Sequence, residues 1–381
     1  MRTLVSTVGM GFRVPYGEGA HTLHEQTIGT VETARTAESP AMEALVLKAP
    51  GRLELQRVPV PRPDRGEVLV RVEAALTCGT DLKAYLRGHP QIPMPGLFGH
   101  EYSGVVAAVG DDATFTVGQE VMGVHSAPCQ ECDWCARDQE NLCEKIMATK
   151  VLGSYAEYLL VPAHIARLNL FEKPESLSFE RAAMLEPLAC VAQAIELMRP
   201  RADSRVLIIG PGAIGLMFAA VLAYLRQESG GRGQGSVTVA GRNPARLQLA
   251  ERLGATTRLL AKMVPDPVYD LVIECTGREE IWERSIDFVR RGGKAVLFGG
   301  CPAGTRASFD TRRLHYDQID VISPFHFGTR AVRTARHWLL DPKFEVDLLL
   351  SGERRLADAR EVFEDLSEGR GIKYVFRPGR F

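Results

Sequence analysis

The sequence predicts a two-domain α/β protein, an irregular β-rich half joined to a doubly wound parallel sheet. Three observations predict it. From Arg205 onward, short apolar strands alternate with helical patterns, the order that builds a parallel sheet with helices on both faces. From Met42 up to that region, short β runs are divided by Pro- and Gly-rich turns. The alternating half opens on Gly210-Pro211-Gly212-Ala213-Ile214-Gly215, a Gly-x-Gly-x-x-Gly turn between a strand and a helix. That context is the one in which such a turn binds a dinucleotide.

Taken in order, residues 1–41 stand apart. They are rich in Thr, Gly, Glu and Ala without a sustained period, and their mixed Arg and Glu argue against a transit peptide. They read as a mobile extension or a start site placed too early, with a regulatory arm as the other reading. From Met42, strands are expected over 44–48, 53–58, 67–75, 104–109, 120–124 and 155–161. Val68, Val70 and Val72 alternate, as a half-buried strand requires. Helices are expected near 178–185 and after Pro187.

From Arg205 the expected strands are 206–209, 236–240, 270–274 and 295–298, with helices over 213–227, 244–253 and about 279–290. Asn243 and Pro244 supply an N-cap and a first-turn proline, and Gly254 a stop. Beyond Pro324, helices near 329–340 and 356–366 precede a last strand, 373–376, that can return to the first domain. The Gly-rich patch 230–235 reads as a surface loop, and no internal repeat is visible. The division expected is an extension (1–41), a β-rich domain (42–190) carrying a cysteine lobe (128–144), a nucleotide domain (191–323) and a returning segment (324–381).

Composition sets the class. The 381 residues are 45% apolar and 24% charged, ordinary for a soluble chain of about two domains. A net charge of −1 points to neither nucleic acid nor an anionic membrane as a partner. The longest apolar run, 213–225, is too short for a membrane span. No secretory h-region is seen, so a cytoplasmic enzyme is expected. Eight cysteines, partly clustered, argue for metal over a disulfide framework.

Each glycine of the fingerprint has a physical task. One permits the tight turn, the next lets the backbone approach a pyrophosphate, and Gly215 lets helix and strand pack closely, with the phosphates on the positive end of the helix. Cys129, Cys132, Cys135 and Cys143 form C-x2-C-x2-C-x7-C, thiolates close enough to converge on one tetrahedral zinc. An iron–sulfur run would want a shorter last gap and a proline after the fourth cysteine, where Glu144 stands. A second set is dispersed: Cys78 in Cys78-Gly79-Thr80-Asp81, His100 and Glu101 in Gly99-His100-Glu101, and Glu186 in Glu186-Pro187-Leu188-Ala189. Singly, these read as a core thiol, a loop histidine, a solvated charge and a helix N-cap. Together they offer sulfur, imidazole and carboxylate for an open zinc site.

These motifs, in this order from Met42 to the C-terminus, resemble the zinc-dependent medium-chain alcohol dehydrogenases. The Glu-Pro-Leu-Ala segment is similar to the sorbitol, threonine and butanediol dehydrogenase branch. The resemblance implies a GroES-like catalytic domain built from two chain segments, an inserted Rossmann domain, and a dimer or tetramer. It implies catalytic zinc on Cys78 and His100, with Glu101 a ligand or just behind the metal, and Glu186 a ligand or the holder of a water. Zinc would act as Lewis acid, hydride would pass to the nicotinamide, Thr80 would take the alcohol proton and Asp81 would orient the site. Many members carry a histidine five residues after the first cysteine; here Lys83 stands there.

For the cofactor, strand 236–240 ends in Gly241-Arg242-Asn243 without the carboxylate that selects NAD. Gly241 leaves space and Arg242 can pair with a 2′-phosphate, so NADP is favoured, with NAD the alternative. Thr276 and Gly299 resemble residues lining the nicotinamide half, while His315, His326 and the 325–327 patch face either the substrate cleft or surface and core. Cys190, Cys275 and Cys301 read as packed thiols. The function expected is reversible oxidation of a small-molecule secondary alcohol, a polyol or vicinal diol, to the ketone. The alternatives are a threonine-type amino-alcohol dehydrogenase and a non-catalytic dinucleotide-binding regulator. A zinc-free quinone reductase would lack Cys78, His100 and the four-cysteine lobe.

Overall fold

The computed structural model describes residues 40–230 and 235–379. All but the last two positions of the 1–41 extension, and the middle of the 230–235 loop, lie outside the described residues.

The second half is a six-stranded parallel sheet in the order Thr256–Leu259, Ser236–Gly241, Arg205–Ile209, Tyr269–Glu274, Val289–Leu297, Asp320–Ile322. Strand order reverses between Arg205–Ile209 and Tyr269–Glu274, and ligands of such sheets bind beyond the strand ends at that reversal. Its central strands are apolar and buried on both faces, as a sheet covered by helices requires. The edge strands Thr256–Leu259 and Asp320–Ile322 were not expected; both are short and largely exposed, so they lack the apolar run that marks the inner strands. Asn243 caps the helix Pro244–Arg252 by accepting the Arg246 N–H, and Gly254 follows its end at φ +81°. The helix expected over 279–290 stops at Ser285, because a short 3-10 turn leads into the long strand Val289–Leu297.

The first half holds a seven-stranded sheet centred on Val68–Leu76, which pairs with Glu101–Val109, with Tyr158–Val161 and with the last strand, Lys373–Phe376. The C-terminal strand thus returns to this sheet. The alternation of Val68, Val70 and Val72 suggested a half-buried strand. Leu69, Glu73 and Ala75 are buried as well, and only Arg71 reaches solvent, because this strand lies inside the sheet with cover on both faces. A smaller sheet joins Arg52–Pro59, Ala41–Ala49 and Gly96–Leu97.

The helix Leu185–Met198 ties the halves together. It packs against Thr329–Leu340 and against the fingerprint helix Ala213–Glu228. One apolar core runs through it, from Leu76 and Val124 on one side to Ile208 and Val239 on the other. Glu186 is therefore not an N-cap. Met184 caps the helix and Glu186 sits buried within its first turn, which brings its carboxylate to the junction of the two halves.

Candidate functional site

Cys78, His100 and Glu101 are separated in sequence but meet at strand ends, with one donor atom from each inside 4.8 Å of the others. Cys78 caps the helix Gly79–Arg87, and its Sγ accepts the Thr80 N–H at 3.4 Å. His100 turns Nδ1 toward Asp81 Oδ1 at 3.3 Å, which leaves Nε2 for a metal. Asp81 is in turn held by the Tyr155 hydroxyl, which donates to Oδ2 at 2.6 Å. Burial opposes the imidazolium of His100, but Asp81 and then Cys78 outweigh it and hold its pKa well above the usual value.

Two buried carboxylates flank this group in different ways. Glu101 is fully buried, and Lys373 donates to its Oε1 at 2.8 Å and to the Thr77 carbonyl at 2.8 Å. Burial pushes the Glu101 carboxyl up to about 7 against the pull of Lys373. Glu186 lies outside the three-donor group; its Oε1 is 3.2 Å from His125 Nδ1, and Cys190 Sγ is 3.9 Å from the same oxygen. Burial would raise Glu186, yet the His125 bond and the surrounding imidazoles bring it to about 2. The His125 ring stands 5.0 Å from His100 and 5.3 Å from His326. Burial lowers His125 and takes His326 to about 3.

The four lobe cysteines also place their sulfurs within 4.8 Å of one another. The Cys135 and Glu144 N–H groups draw Cys132 down to about 6, whereas burial and the neighbouring Cys132 push Cys135 up to about 12. Thiols this crowded cannot all ionise without a cation between them, so the donor set fits a zinc ion.

The dinucleotide fingerprint is built as the spacing suggests. Gly210 takes φ +107°, and a Cβ there would lie 2.7 Å from Thr276 Cγ2. A Cβ on Gly215 would lie 2.0 Å from the Gly210 carbonyl oxygen, while Gly212 has open space. Ala213 and Ile214 open a helix that has no side-chain cap and no acid in its first turn, so its N–H groups are left for a phosphate. Beside it runs a cleft of about 670 Å³ lined by Gly210, Gly212, Gly241, Arg242, Arg246 and Thr276 among others. Gly241 lines this cleft and also admits Pro211, whose Cγ would lie 2.4 Å from a Cβ there. Gly299 lies outside this cleft and packs against Gly277, whose nitrogen would be 2.3 Å from a Cβ.

Known proteins carry the same two modules. Residues 64–171 match the alcohol dehydrogenase GroES-like domain, and residues 229–341 match the zinc-binding dehydrogenase domain. The chain is 33% identical to D-altritol 5-dehydrogenase of Agrobacterium fabrum, over 74% of this chain and 83% of the relative. The chain belongs to the zinc-binding alcohol dehydrogenase family. Other relatives in the family include D-arabinitol dehydrogenase 1 of Uromyces fabae, 26% identical over 88% of this chain and 97% of that one. L-threonine 3-dehydrogenase of Coxiella burnetii is 29% identical over 86% and 96%. A zinc-binding dehydrogenase from Sinorhizobium meliloti 1021, solved with NADP, superposes with a TM-score of 0.77 at 27% identity, over 89% of this chain and 100% of that chain. As a member of this family the protein is an NAD(P)-dependent dehydrogenase. No helix among the described residues is long and apolar enough to cross a membrane.

Sequence reasoning missed several residues of this candidate site. Lys373, on the last strand, and Tyr155, in the bend before the strand Tyr158–Val161, act from far along the chain, and no local spacing marks them. His125 follows directly on the strand Glu120–Gly123 and its Val124, a strand-end place that offered a signal. Glu274 ends a strand and accepts the Thr276 N–H at 2.5 Å and the Gly277 N–H at 3.1 Å, shaping the loop at the sheet reversal. Arg246, in the first turn of the helix Pro244–Arg252, lines the same cleft as Arg242, which precedes the helix cap.

Proposed function

We propose that this dehydrogenase interconverts a polyol or other vicinal diol with its ketone, using Cys78, His100 and one of Glu101 and Glu186 around zinc, with NADP as the favoured cofactor. The observation that carries this reading is the convergence of Cys78, His100 and Glu101, with the buried Glu186 nearby. The polyol class is supported by relatives named for altritol, arabinitol and sorbitol. When bound, zinc supplies Lewis-acid stabilisation of the alcohol oxygen, and the nicotinamide takes the hydride. Asp81 orients His100 and is itself fixed by Tyr155. Lys373 balances Glu101, which leaves Glu186 the carboxylate free to ligate or to hold a water. Thr80, in the first turn beyond Cys78, is the candidate to take the alcohol proton. Lys83, which stands where many members carry a histidine, donates to the Gly300 carbonyl at 3.3 Å and so reaches the nucleotide half. The cysteine lobe holds its own zinc in a closed structural site, and the metal-type clustering supports a cytoplasmic setting.

The test is the initial rate of nicotinamide reduction on polyols, simple secondary alcohols and threonine, with NADP and NAD in parallel. Fast polyol turnover is expected. Turnover confined to threonine would move the substrate class to the amino-alcohol reading. No turnover on any alcohol by the zinc-loaded protein would favour a binding regulator.

The NADP preference rests on the basic end of the cleft. Arg242 is exposed there, and Arg246 spends Nη2 on the Gly371 carbonyl at 3.0 Å while its buried Nε has no partner. A 2′-phosphate would give both guanidinium groups an anion. A hydrogen bond to a charged group is worth about 1.5–3 kcal/mol. Arg242→Asp is therefore expected to lower the NADP-over-NAD ratio of kcat/KM by about 10–100-fold. An unchanged ratio would overturn the preference.

A further inference from the structure

We propose that Glu140 is a positioning residue that works from the cysteine lobe on the wall of the catalytic pocket, through the loop 325–329. It rests on the reading that Cys78, His100 and Glu186 surround the reacting centre. Glu140 opens the 3-10 turn Glu140–Leu142, which runs directly into Cys143, and its carbonyl accepts the Cys143 N–H at 3.0 Å. Its Oε2 accepts two bonds from Thr329, from N–H at 2.8 Å and from Oγ1 at 2.6 Å. Thr329 begins the helix Thr329–Leu340, whose N-cap is Gly328 and lends no side chain. The Glu140 carboxylate therefore caps that helix from another part of the chain and sits at its positive end.

The neighbouring residue takes hold of the other end of the loop. Asn141 donates through Nδ2 to the Phe325 carbonyl at 3.0 Å. Gln193, from the helix Leu185–Met198, fixes the middle by accepting the Gly328 N–H at 3.0 Å. Between these points His326 sits at φ +56°, a left-handed backbone that a histidine keeps only where its surroundings hold it. Its Nε2 lies 2.7 Å from Ser126 Oγ, and its ring stacks on Phe327 with centroids 4.0 Å apart. Both rings stand against His125, His326 at 5.3 Å and Phe327 at 5.8 Å. His125 in turn meets Glu186 Oε1 at 3.2 Å and lies 5.0 Å from the His100 ring. A continuous set of contacts thus leads from the first residue of the lobe's last turn to Glu186 and His100.

A lobe that served only stability would need no grip on this loop. A cap on Thr329 alone would steady the helix. The Asn141 bond to Phe325 acts on the segment that carries His326 and Phe327, and a small displacement of a pocket wall weakens the hold on the alcohol. The function assigned is control of alcohol binding, with the cofactor site untouched.

The experiment compares Glu140→Ala, Asn141→Ala, His326→Ala and the Glu140→Ala/His326→Ala double variant on the full chain with zinc. It reads kcat, KM for alcohol and for cofactor, zinc per chain, and amide exchange over 325–329. Glu140→Ala is expected to raise the alcohol KM about 10-fold, with kcat, cofactor KM and zinc content at wild-type levels and faster exchange in the loop. Asn141→Ala is expected to give the same split at smaller size, and it carries the test if Glu140→Ala does not fold. In the His326→Ala background the added Glu140→Ala change is expected to be nearly silent. An unchanged alcohol KM overturns the proposal, as do parallel losses of kcat and zinc, or effects that simply multiply in the double variant. Absence of turnover in the wild-type chain would instead be a failure of the site reading.

Discussion

Lys373→Met is expected to destabilise the protein by about 3–5 kcal/mol, the cost of leaving a buried charge without its partner. Lys373 and Glu101 are both almost wholly buried, and the ammonium spends its bonds on Glu101 Oε1 and the Thr77 carbonyl, each at 2.8 Å. Methionine is close to lysine in length and keeps the packing, so the variant isolates the charge. The buried Glu101 must then take up a proton or draw water into the core, and burial already pushes its carboxyl up to about 7. The double variant Lys373→Met/Glu101→Gln removes both charges and is expected to recover most of the loss, because an apolar or neutral replacement of a whole buried pair is often near neutral. Urea midpoints for wild type, both single variants and the double variant, at equal zinc, give the coupling directly. A single variant within about 0.5 kcal/mol of wild type would mean that Glu101 is neutral in the native state.

That pair also marks where the sequence stops being informative. Glu101 and Lys373 are 272 positions apart, and only the return of the last strand beside Val68–Leu76 brings them together. The nucleotide half was legible because its signals are local: an apolar strand, a Gly-rich turn and a helix stand within one stretch, and Asn243 with Pro244 caps the next helix as expected. The cysteine lobe was legible for the same reason. Glu186 looked like a helix N-cap because a proline follows it, yet the helix begins earlier and Pro187 occupies a first-turn place that has no use for an N–H. The half-buried reading of Val68–Leu76 failed because alternation reports one apolar face and says nothing of small or paired residues on the other. Glu73 is buried there with Arg71 at its side chain. Gly241 shows a third limit. Its lack of a side chain was read as room for a ligand; it does line the cleft, but the same room also admits Pro211, which its place in the sequence does not announce.

The two carboxylates beside the proposed metal ligands, Cys78 and His100, are separated by their partners more than by their positions. Glu101 faces a lysine that is fixed by a backbone carbonyl, so its charge is already balanced inside the protein. Glu186 faces His125, an imidazole that burial keeps neutral, so its negative charge has no permanent counter-ion of that strength. At the proposed site, a dication among Cys78, His100 and these groups would gain charge balance from Glu186 that Lys373 already gives Glu101. Lys373 matters for the same reason: without it, both carboxylates would compete for a cation placed there.

The larger effect on activity is expected from Cys78→Ser. Cys78 has a second duty as N-cap of the helix Gly79–Arg87, where its sulfur accepts the Thr80 N–H. Serine is among the best N-caps, so the helix keeps its start while the soft ligand is lost. Lewis-acid stabilisation of the reacting oxygen is worth several kcal/mol, and each 1.36 kcal/mol is tenfold in rate, so kcat/KM is expected to fall by about 10³-fold or more. Zinc content should drop from two ions per chain to about one, with the urea midpoint near that of wild type. Cys135→Ser makes the opposite cut. It leaves the Cys78, His100 and Glu101 group intact but breaks the lobe, whose metal affinity is part of its folding energy. That variant should lose the other zinc ion, unfold more readily and, through the Glu140 hold on Thr329, bind alcohol more weakly. Two zinc ions and wild-type turnover in Cys78→Ser would show that the reaction takes place elsewhere.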